Sequence, residues 1–168
     1  MNTRKLTTAA LLVTLGVLSA HIISIPIGVS RVFPVQHAIN VLAAVLFGPA
    51  YAVVVAFLTS LLRNILGTGS LLAFPGSMIG AFLAGVFYMA TKKSPFALVG
   101  EILGTGILGA LVAYPIARYL LGAEVAVFFY IVPFALSSVV GAVIGYIIYG
   151  LMKKSGVIQY YHEQGGIK

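Results

Sequence analysis

Residues 125–152 read VAVFFYIVPFALSSVVGAVIGYIIYGLM, a run without a charged side chain that ends at Lys153 and Lys154. The hydrocarbon core of a bilayer is about 30 Å thick, so a spanning helix needs roughly 20 mostly apolar residues. This stretch therefore predicts a transmembrane helix that ends at a membrane surface. The whole chain has the same character, with 61% apolar residues and only three acidic ones among 168, which excludes an ordinary soluble domain.

Five more apolar segments precede this one, and Pro and Gly residues mark most of the breaks between them. The second segment is short for a full crossing, so it either tilts little or begins inside the protein. We predict an all-α integral membrane protein, a bundle of six transmembrane helices that forms a single domain over residues 1–168. The predicted helices cover about residues 6–27, 36–47, 49–66, 71–91, 96–120 and 125–152.

The first segment has features of a signal peptide. Arg4 and Lys5 precede an apolar run, and Leu18-Ser19-Ala20 could serve as a cleavage site. However, the apolar run continues past that site to residue 27, and five further spans follow it. We therefore interpret the segment as an uncleaved first helix.

The basic residues indicate the orientation of the bundle. With the N-terminus in the cytoplasm and six crossings, seven of the ten Lys and Arg fall on the cytoplasmic side. Only Arg31, Arg63 and Arg118 fall on the opposite side or in the outer half of the membrane. This is the bias of the positive-inside rule, so we predict that both termini lie in the cytoplasm. The net charge of +7 is thus explained by topology and does not indicate a nucleic-acid partner.

Small residues recur four positions apart in three of the segments. Such pairs let helix backbones approach closely, and close packing drives helix association in a membrane. They predict tight helix contacts, with a binding role possible where a glycine lines a cavity. The pairs are Gly76 and Gly80, Gly100 and Gly104, and Gly141 and Gly145.

Polar side chains within the apolar segments are costly in a membrane, so they usually face the bundle interior or a watery cavity. In the predicted topology many of them lie near the outer ends of the helices, and several share one helix face at a spacing of three or four. Their convergence predicts a small-molecule pocket open to the outside. The candidates for substrate binding are His37, Asn40, Arg63, Asn64, Phe74, Ser77, Tyr114 and Tyr130, and a second tier contains Gln36, Ser70, Glu101 and Ser137.

Most candidates also have a purely structural alternative. Arg63 and Arg118 could extend to lipid headgroups, His37 could cap the second helix, and the tyrosines could anchor the protein at the interface. Ser77 could bond its own helix backbone. Glu101 is the only acid inside a predicted span and lies toward the cytoplasmic half. It could pair with an arginine, serve a partner interface or reach the pocket.

Catalytic motifs are absent from the sequence. A G-x-x-x-x-G-K-[ST] stretch for ATP phosphates is missing, as are H-E-x-x-H and G-x-S-x-G. The lack of Asp argues against metal-dependent phosphotransfer, and the lack of Cys excludes disulfides and thiolate metal sites. We predict that the chain is not an enzyme, that it has no catalytic or metal-ligating residues and that it binds no cofactor itself.

Several stretches together resemble one family of membrane proteins. FPVQHAINV at 33–41, GPAY at 48–51, LLRNILGTGS at 61–70 and FPGSM at 74–78 are similar to the ThiW family, and GEILGTG at 100–106 also fits. The similarity covers nearly the whole chain, and the stretches 63–70 and 74–78 are its specific part. ThiW proteins are substrate-binding S components of energy-coupling factor (ECF) transporters. They are assigned to 4-methyl-5-(2-hydroxyethyl)thiazole, the thiazole precursor of thiamine.

The resemblance implies a six-helix subunit of the prokaryotic plasma membrane that captures its ligand from outside. Transport would need a membrane coupling subunit and two ATPase subunits, which agrees with the missing ATP motif. The loop after the first helix, residues 25–35, would cover the pocket, with Arg31 and Phe33 as lid residues. Helices four to six would supply much of the lining.

The resemblance also implies a docking face on the first helix. S components often contact the coupling subunit through an Ala-x-x-x-Ala pattern there. This chain offers Ala10 with Thr14, and Gly16 with Ala20. Thr14 stands where the family pattern has its second Ala. Because Thr is also a small residue, we expect docking through this helix.

The chemistry of a thiazole suits the predicted pocket. A flat, weakly polar ring could stack on an aromatic candidate, while its nitrogen and its hydroxyl group could bond the His, Asn and Ser candidates. Arg63 would also suit a phosphorylated thiazole, so the exact ligand stays open. Three other interpretations remain: an S component for another thiamine-related ligand, a stand-alone channel or carrier, and a purely structural membrane subunit.

Overall fold

The computed structural model describes residues 3–27 and 30–159. Within this part of the chain, six helices pack together as a bundle, and a short β-hairpin follows the first helix. The helices are α1 (Thr3–Ile22), α2 (Pro34–Phe47), α3 (Pro49–Ile65), α4 (Ala73–Thr91), α5 (Ser94–Leu120) and α6 (Ile131–Lys154), and the hairpin consists of β1 (Ile25–Ile27) and β2 (Ser30–Val32).

Four of these helices have the length and apolarity of membrane spans. They are α1, α4, α5 and α6, whereas α2 and α3 are shorter apolar helices. Large apolar side chains such as Leu11, Val132 and Leu151 are exposed on the outside of the bundle. An outer surface of this kind suits lipid, so the chain is a helical membrane protein.

Helix α2 is the centre of the bundle. It packs against α1, α3, α4, α5 and α6, and each of its residues except Val35 is buried. Its 14 residues span about 21 Å at a rise of about 1.5 Å per residue, which is less than the membrane core. Because Pro34, Gln36 and His37 are already buried, α2 begins inside the protein, which is one of the two alternatives for the short second segment.

The hairpin differs from the sequence-based prediction of an all-helical chain. The first helix is predicted to run to residue 27, but α1 ends at Ile22, and Ile25 pairs with Val32 in an antiparallel ladder. Pro26, which pairs with Arg31, has no backbone N–H and disfavours helix at the residue before it. The residues assigned to the end of the first helix therefore belong to the hairpin.

The last helix also begins later than predicted. The sixth apolar segment starts at residue 125, but α6 starts at Ile131. Residues 126–131 form consecutive turns, in which Phe129 N–H donates to Ala126 O and Ile131 N–H donates to Phe128 O. Because these residues are apolar as well, composition does not reveal the turns.

Helix α5 contains two wide turns. It is α-helical over Ser94–Leu103 and Ala110–Pro115, and π-helical over Gly104–Gly109 and Ile116–Leu120. Single π-helical turns are common at functional sites because they change the direction in which nearby side chains point. The first wide turn contains Thr105, one turn after Glu101.

Glycines bring the helices into close contact. A Cβ added at Gly104 would lie 2.7 Å from Gly80 Cα, and one at Gly145 would lie 2.7 Å from the carbonyl oxygen of Ala38. These contacts join α4 to α5 and α6 to α2. The predicted glycine pairs therefore lie at close helix contacts, where an added Cβ would meet a neighbouring backbone at Gly100, Gly104, Gly141 and Gly145 and side chains at Gly76 and Gly80.

A single added methyl group tests this packing. We expect Gly104→Ala to cost about 1–3 kcal/mol, because the Cβ would meet backbone atoms of α4. Gly150→Ala is the matched control, since nothing lies within 4 Å of a Cβ at that position. Thermal unfolding in detergent should show a midpoint several degrees lower for the first variant and unchanged or higher for the second. Equal midpoints would contradict the packing described here.

Candidate functional site

A cavity of about 470 Å³ lies at one end of the bundle. The hairpin, the loop between α3 and α4, and the connection between α5 and α6 all reach this end. The volume falls in the range of small-molecule sites, which combine apolar walls with a few polar groups. The lining residues are Arg31, Phe33, Gln36, His37, Arg63, Gly67, Thr68, Gly69, Ser70, Leu72, Ala73, Gly76, Ser77, Thr105, Val125, Phe129, Tyr130, Pro133, Phe134 and Ser137.

A fully buried carboxylate stands behind the cavity wall. Glu101 Oε1 lies 2.8 Å from His37 Nδ1, receives the amide N–H of Asn40 at 3.0 Å and lies 3.0 Å from Thr105 Oγ1. The single hydroxyl proton of Thr105 can go to this oxygen or to Gly76 O, also at 3.0 Å. We call Glu101, His37, Asn40 and Thr105 the Glu101 cluster. It joins α2 to α5 through groups that would be costly to bury unpaired.

A second set of buried polar groups, the Arg63 chain, connects α3, α2 and α4. The guanidinium of Arg63 donates to Gln36 Oε1, and Gln36 Nε2 donates to Ser60 Oγ at 2.9 Å. Ser60 Oγ lies 2.9 Å from Ser77 Oγ. Since Ser77 gives its own proton to Ala73 O at 2.8 Å, Ser60 donates to Ser77. The Arg63 chain (Arg63, Gln36, Ser60 and Ser77) is therefore a directional series of hydrogen bonds that ends on the α4 backbone.

The two polar sets meet at Asn40. One hydrogen of its side-chain amide goes to Glu101 Oε1 and the other to Ser77 O at 3.2 Å. Within the described residues, Asn40 Oδ1, Glu101 Oε2 and Arg63 Nε are buried without a hydrogen-bond partner. Buried polar atoms without partners are uncommon in folded proteins and are often found where function requires them.

Arg63 also holds the covering segments in place. A second guanidinium nitrogen donates to Thr68 O at 2.9 Å, and the guanidinium stacks on the Phe33 ring at 3.9 Å from its centroid. The Phe33 backbone N–H in turn donates to Ser137 Oγ at 3.0 Å. Arg63 thus connects the end of the hairpin, the start of α2 and the α3–α4 loop around the cavity.

Aromatic rings also line the cavity. The Phe129 and Tyr130 ring centroids lie 5.1 Å apart in a T-shaped arrangement, and those of Tyr130 and Phe134 lie 6.0 Å apart. Flat apolar rings beside polar donors can hold a small heteroaromatic ring. Among the described residues, the lining includes the cations Arg31 and Arg63 and no acid, so this wall chemistry suits a neutral or anionic ligand better than a cation.

The structure separates the predicted site residues into three groups. Those on the cavity wall are His37, Arg63, Ser77, Tyr130, Arg31, Phe33, Gln36, Ser70 and Ser137. Asn40 and Glu101 lie directly behind it and bond wall residues. Asn64, Phe74 and Tyr114 do not line it.

The three residues away from the wall have other surroundings. Asn64 Nδ2 donates to Ser60 O at 2.8 Å and to Ser70 O at 3.0 Å, which fixes the start of the α3–α4 loop. Phe74 packs on Phe57, with ring centroids 5.7 Å apart. These contacts give Asn64 and Phe74 a structural role in the described part of the chain.

Some wall residues are not among the sequence-based candidates. Thr105 lies between two glycines and follows Glu101 by one helical turn, a spacing that could have identified it. Phe129 and Phe134 flank Tyr130 but look like ordinary membrane residues. The backbone of the Gly67-Thr68-Gly69 loop carries no side-chain signal for a cavity, although the break itself is visible in the sequence.

The two small-residue pairs on α1 face different surroundings. Gly16 and Ala20 are buried, and a Cβ at Gly16 would lie 2.8 Å from Thr59 Cγ2. Ala10 and Thr14 are exposed, and Thr14 Oγ1 donates to Ala10 O within the helix at 2.9 Å. Of the two pairs, only Ala10 and Thr14 are accessible to a partner.

The fold and the cavity define a helical membrane protein with a cavity of small-molecule size. The family model for the thiamine-precursor transporter protein (ThiW) matches residues 6–155. This is most of the chain, and the chain belongs to that family. The match confirms the resemblance seen in the sequence, and it identifies a transporter family and not an enzyme family. No curated protein and no solved structure gives a significant match.

Replacing Arg63 tests its role in connecting the segments around the cavity. Lysine keeps the charge but cannot bond Gln36 and Thr68 together or stack as a planar group. We expect Arg63→Lys to speed amide exchange in residues 30–36 and 66–70 about tenfold, since contacts worth roughly 1–2 kcal/mol are lost. Hydrogen–deuterium exchange by mass spectrometry measures this. Arg118→Lys, at an exposed position, is the control and should leave the exchange rates of these segments unchanged. Unchanged exchange rates in the Arg63→Lys variant as well would contradict this role of Arg63.

Proposed function

We propose that the chain is the S component of an ECF importer and that it captures hydroxyethylthiazole in this cavity from the outer side of the membrane. The observation that carries the proposal is the cavity itself, in which hydrogen-bonding side chains face an aromatic wall at one end of a ThiW-family helix bundle. The ligand is small, and its ring and hydroxyl match the two kinds of wall. The family description supports a thiamine precursor as the substrate.

The charge distribution supports an outward-facing cavity. Arg4, Lys5 and the 92–93 and 153–154 lysine pairs lie at the end of the bundle away from the cavity, whereas Arg31, Arg118 and Glu124 lie at the cavity end. The positive-inside rule then places the cavity on the outside of the membrane. In this arrangement α2 and α3 complete six crossings, with both termini in the cytoplasm of a prokaryotic cell.

Single cysteines test this topology, because the chain contains none of its own. Lys93 and Glu124 are exposed positions in two different connections, and Ala50 is exposed in the first turn of α3, next to the α2–α3 connection. We expect a membrane-impermeant maleimide added to intact cells to label Glu124→Cys and to leave Ala50→Cys and Lys93→Cys unlabelled until the cells are opened. Labelling of Ala50→Cys and Lys93→Cys but not Glu124→Cys in intact cells would invert the orientation, whereas labelling of Ala50→Cys together with Glu124→Cys would contradict the proposed crossings of α2 and α3.

Ligand binding is the direct test of the proposed function. Calorimetric titration of the purified chain should show tight one-to-one binding of hydroxyethylthiazole, with thiamine and its pyrimidine precursor binding far more weakly. The thiazole phosphate belongs in the same series, because two arginines line the cavity. Binding of thiamine or the pyrimidine instead would keep the transporter class and change the substrate. The absence of heat with all four compounds would overturn the proposed function.

The aromatic wall supplies a matched pair of variants for this titration. Tyr130 lines the cavity and Tyr114 does not. We expect Tyr130→Leu to weaken thiazole binding about two- to tenfold, because an aromatic contact is worth roughly 0.5–1.5 kcal/mol beyond its buried area. Tyr114→Leu should bind like the wild type. Weaker binding in Tyr114→Leu than in Tyr130→Leu would indicate that the ligand binds outside this cavity.

The proposed partners agree with the missing ATP site. The chain has no motif for ATP phosphates, so a membrane coupling subunit and two ATPase subunits would supply the energy. The exposed Ala10 and Thr14 face of α1 is the proposed docking surface for the coupling subunit, since small residues allow close helix contact.

Reconstitution distinguishes this assembly from a stand-alone carrier. Liposomes with the chain alone should not accumulate labelled thiazole, whereas liposomes with a complete ECF module and ATP should. Ala10→Phe should abolish uptake and copurification with the module and should leave ligand binding intact. Uptake by the chain alone would favour a carrier or channel, and assembly of the Ala10→Phe variant would exclude this docking face.

A further inference from the structure

The imidazole ring of His37 lies between the cavity and the buried carboxylate of Glu101. His37 lines the cavity, whereas Glu101 is completely buried and does not. The Nδ1 atom is turned toward Glu101 Oε1 at 2.8 Å. Among the described residues no group bonds the other ring nitrogen, so Nε2 is the atom that His37 can offer to a ligand.

The surroundings of Glu101 determine where the imidazole proton is. Its Oε1 atom accepts the Asn40 amide hydrogen at 3.0 Å and lies 3.0 Å from the Thr105 hydroxyl. An ionised carboxylate only accepts hydrogen bonds. Beside an ionised Glu101, Nδ1 is therefore the donor in the 2.8 Å contact, and the partner of one ring nitrogen sets the state of the other.

Close packing confines both side chains to these positions. A Cβ added at Gly80 would lie 2.8 Å from Glu101 Oε2 and closer still to Thr105 Oγ1. On the other side, a Cβ at Gly141 would lie 2.6 Å from His37 Cβ. Because glycines stand at both of these contacts, the carboxylate and the ring fit against the neighbouring backbones and have little room to turn.

We propose that Glu101 is a positioning residue of the binding site: it holds the Nδ1 proton of His37, so that Nε2 faces the cavity and bonds the hydroxyl group of the ligand. The inference deepens the proposed function and rests on it. A hydroxyl is the matching group because it both donates and accepts. It pairs with the lone pair of Nε2 in the neutral ring and with the Nε2 proton in the imidazolium.

The tautomer is measured directly in the free protein. Nitrogen-15 NMR of histidine-labelled protein resolves three histidines, and loss of a signal in His37→Gln assigns His37. We expect a protonated Nδ1 before ligand is added and a shift of the Nε2 resonance when hydroxyethylthiazole binds. An unprotonated Nδ1 with the proton on Nε2 would overturn the inference. An unchanged Nε2 chemical shift at saturating thiazole would also overturn it.

The ligand hydroxyl is tested with 5-ethyl-4-methylthiazole, which lacks only that group. Wild-type protein should bind the hydroxyl compound about tenfold more tightly than this analogue. Glu101→Met removes the acceptor at similar length and should abolish the preference. Glu101→Gln keeps an acceptor oxygen and should restore much of it, which a merely structural role would not predict. Ser138→Ala, at a buried position away from the cavity wall, is the control and should keep the full preference.

The outcomes separate this inference from the proposed function. Equal affinity of the wild type for both thiazoles would overturn the role of His37 and Glu101 and leave the importer proposal standing. No binding of either thiazole would overturn both. If Glu101→Met does not fold, the wild-type preference and the Nδ1 proton, both measured without that variant, decide the matter.

Discussion

The buried carboxylate of Glu101 is the interaction around which this bundle is arranged. An unpaired charge inside a membrane protein costs several kcal/mol, so Glu101 has to meet donors from neighbouring helices. Asn40 donates to it and His37 Nδ1 lies 2.8 Å from it, both from α2, and the Thr105 hydroxyl lies 3.0 Å from it in the wide turn of α5. This requires α2 to begin inside the protein and α4 to approach through glycine. The short α2 leaves space beyond its first residue, and the hairpin and the loops enclose that space as the cavity.

Much of the fold could be predicted because lipid imposes simple rules. The apolar run lengths and the Pro and Gly breaks identify the six helices, and the glycine spacing identifies where they touch. The ends of α1 and α6 could not be predicted in the same way. Residues 23–27 and 125–130 are as apolar as the helices beside them, yet they form a hairpin strand and turns. Hydropathy measures whether a side chain prefers lipid or water, and it does not measure whether the backbone is helical.

The site could be predicted in part, because polar residues inside apolar runs are few and costly. This reasoning found His37, Arg63 and Ser77, which line the cavity. It could not separate residues on the wall from those that hold it, such as Asn64 under the α3–α4 loop. The sequence indicates how deep in the membrane a residue lies along its helix. It does not indicate which way the side chain points around the helix axis where the π-helical turns of α5 change that direction. The role of Glu101 depended on contacts with residues 61 and 64 positions away, which no local pattern contains.

An experimental structure of the chain with hydroxyethylthiazole is the decisive measurement. We expect the ring in the cavity against the Phe129, Tyr130 and Phe134 wall, with its hydroxyl within hydrogen-bond distance of His37 Nε2. Glu101 should remain behind His37, bonded to Nδ1 and to Asn40, without touching the ligand. A ligand bound elsewhere in the bundle, or one in direct contact with a Glu101 that has left His37, would contradict the account.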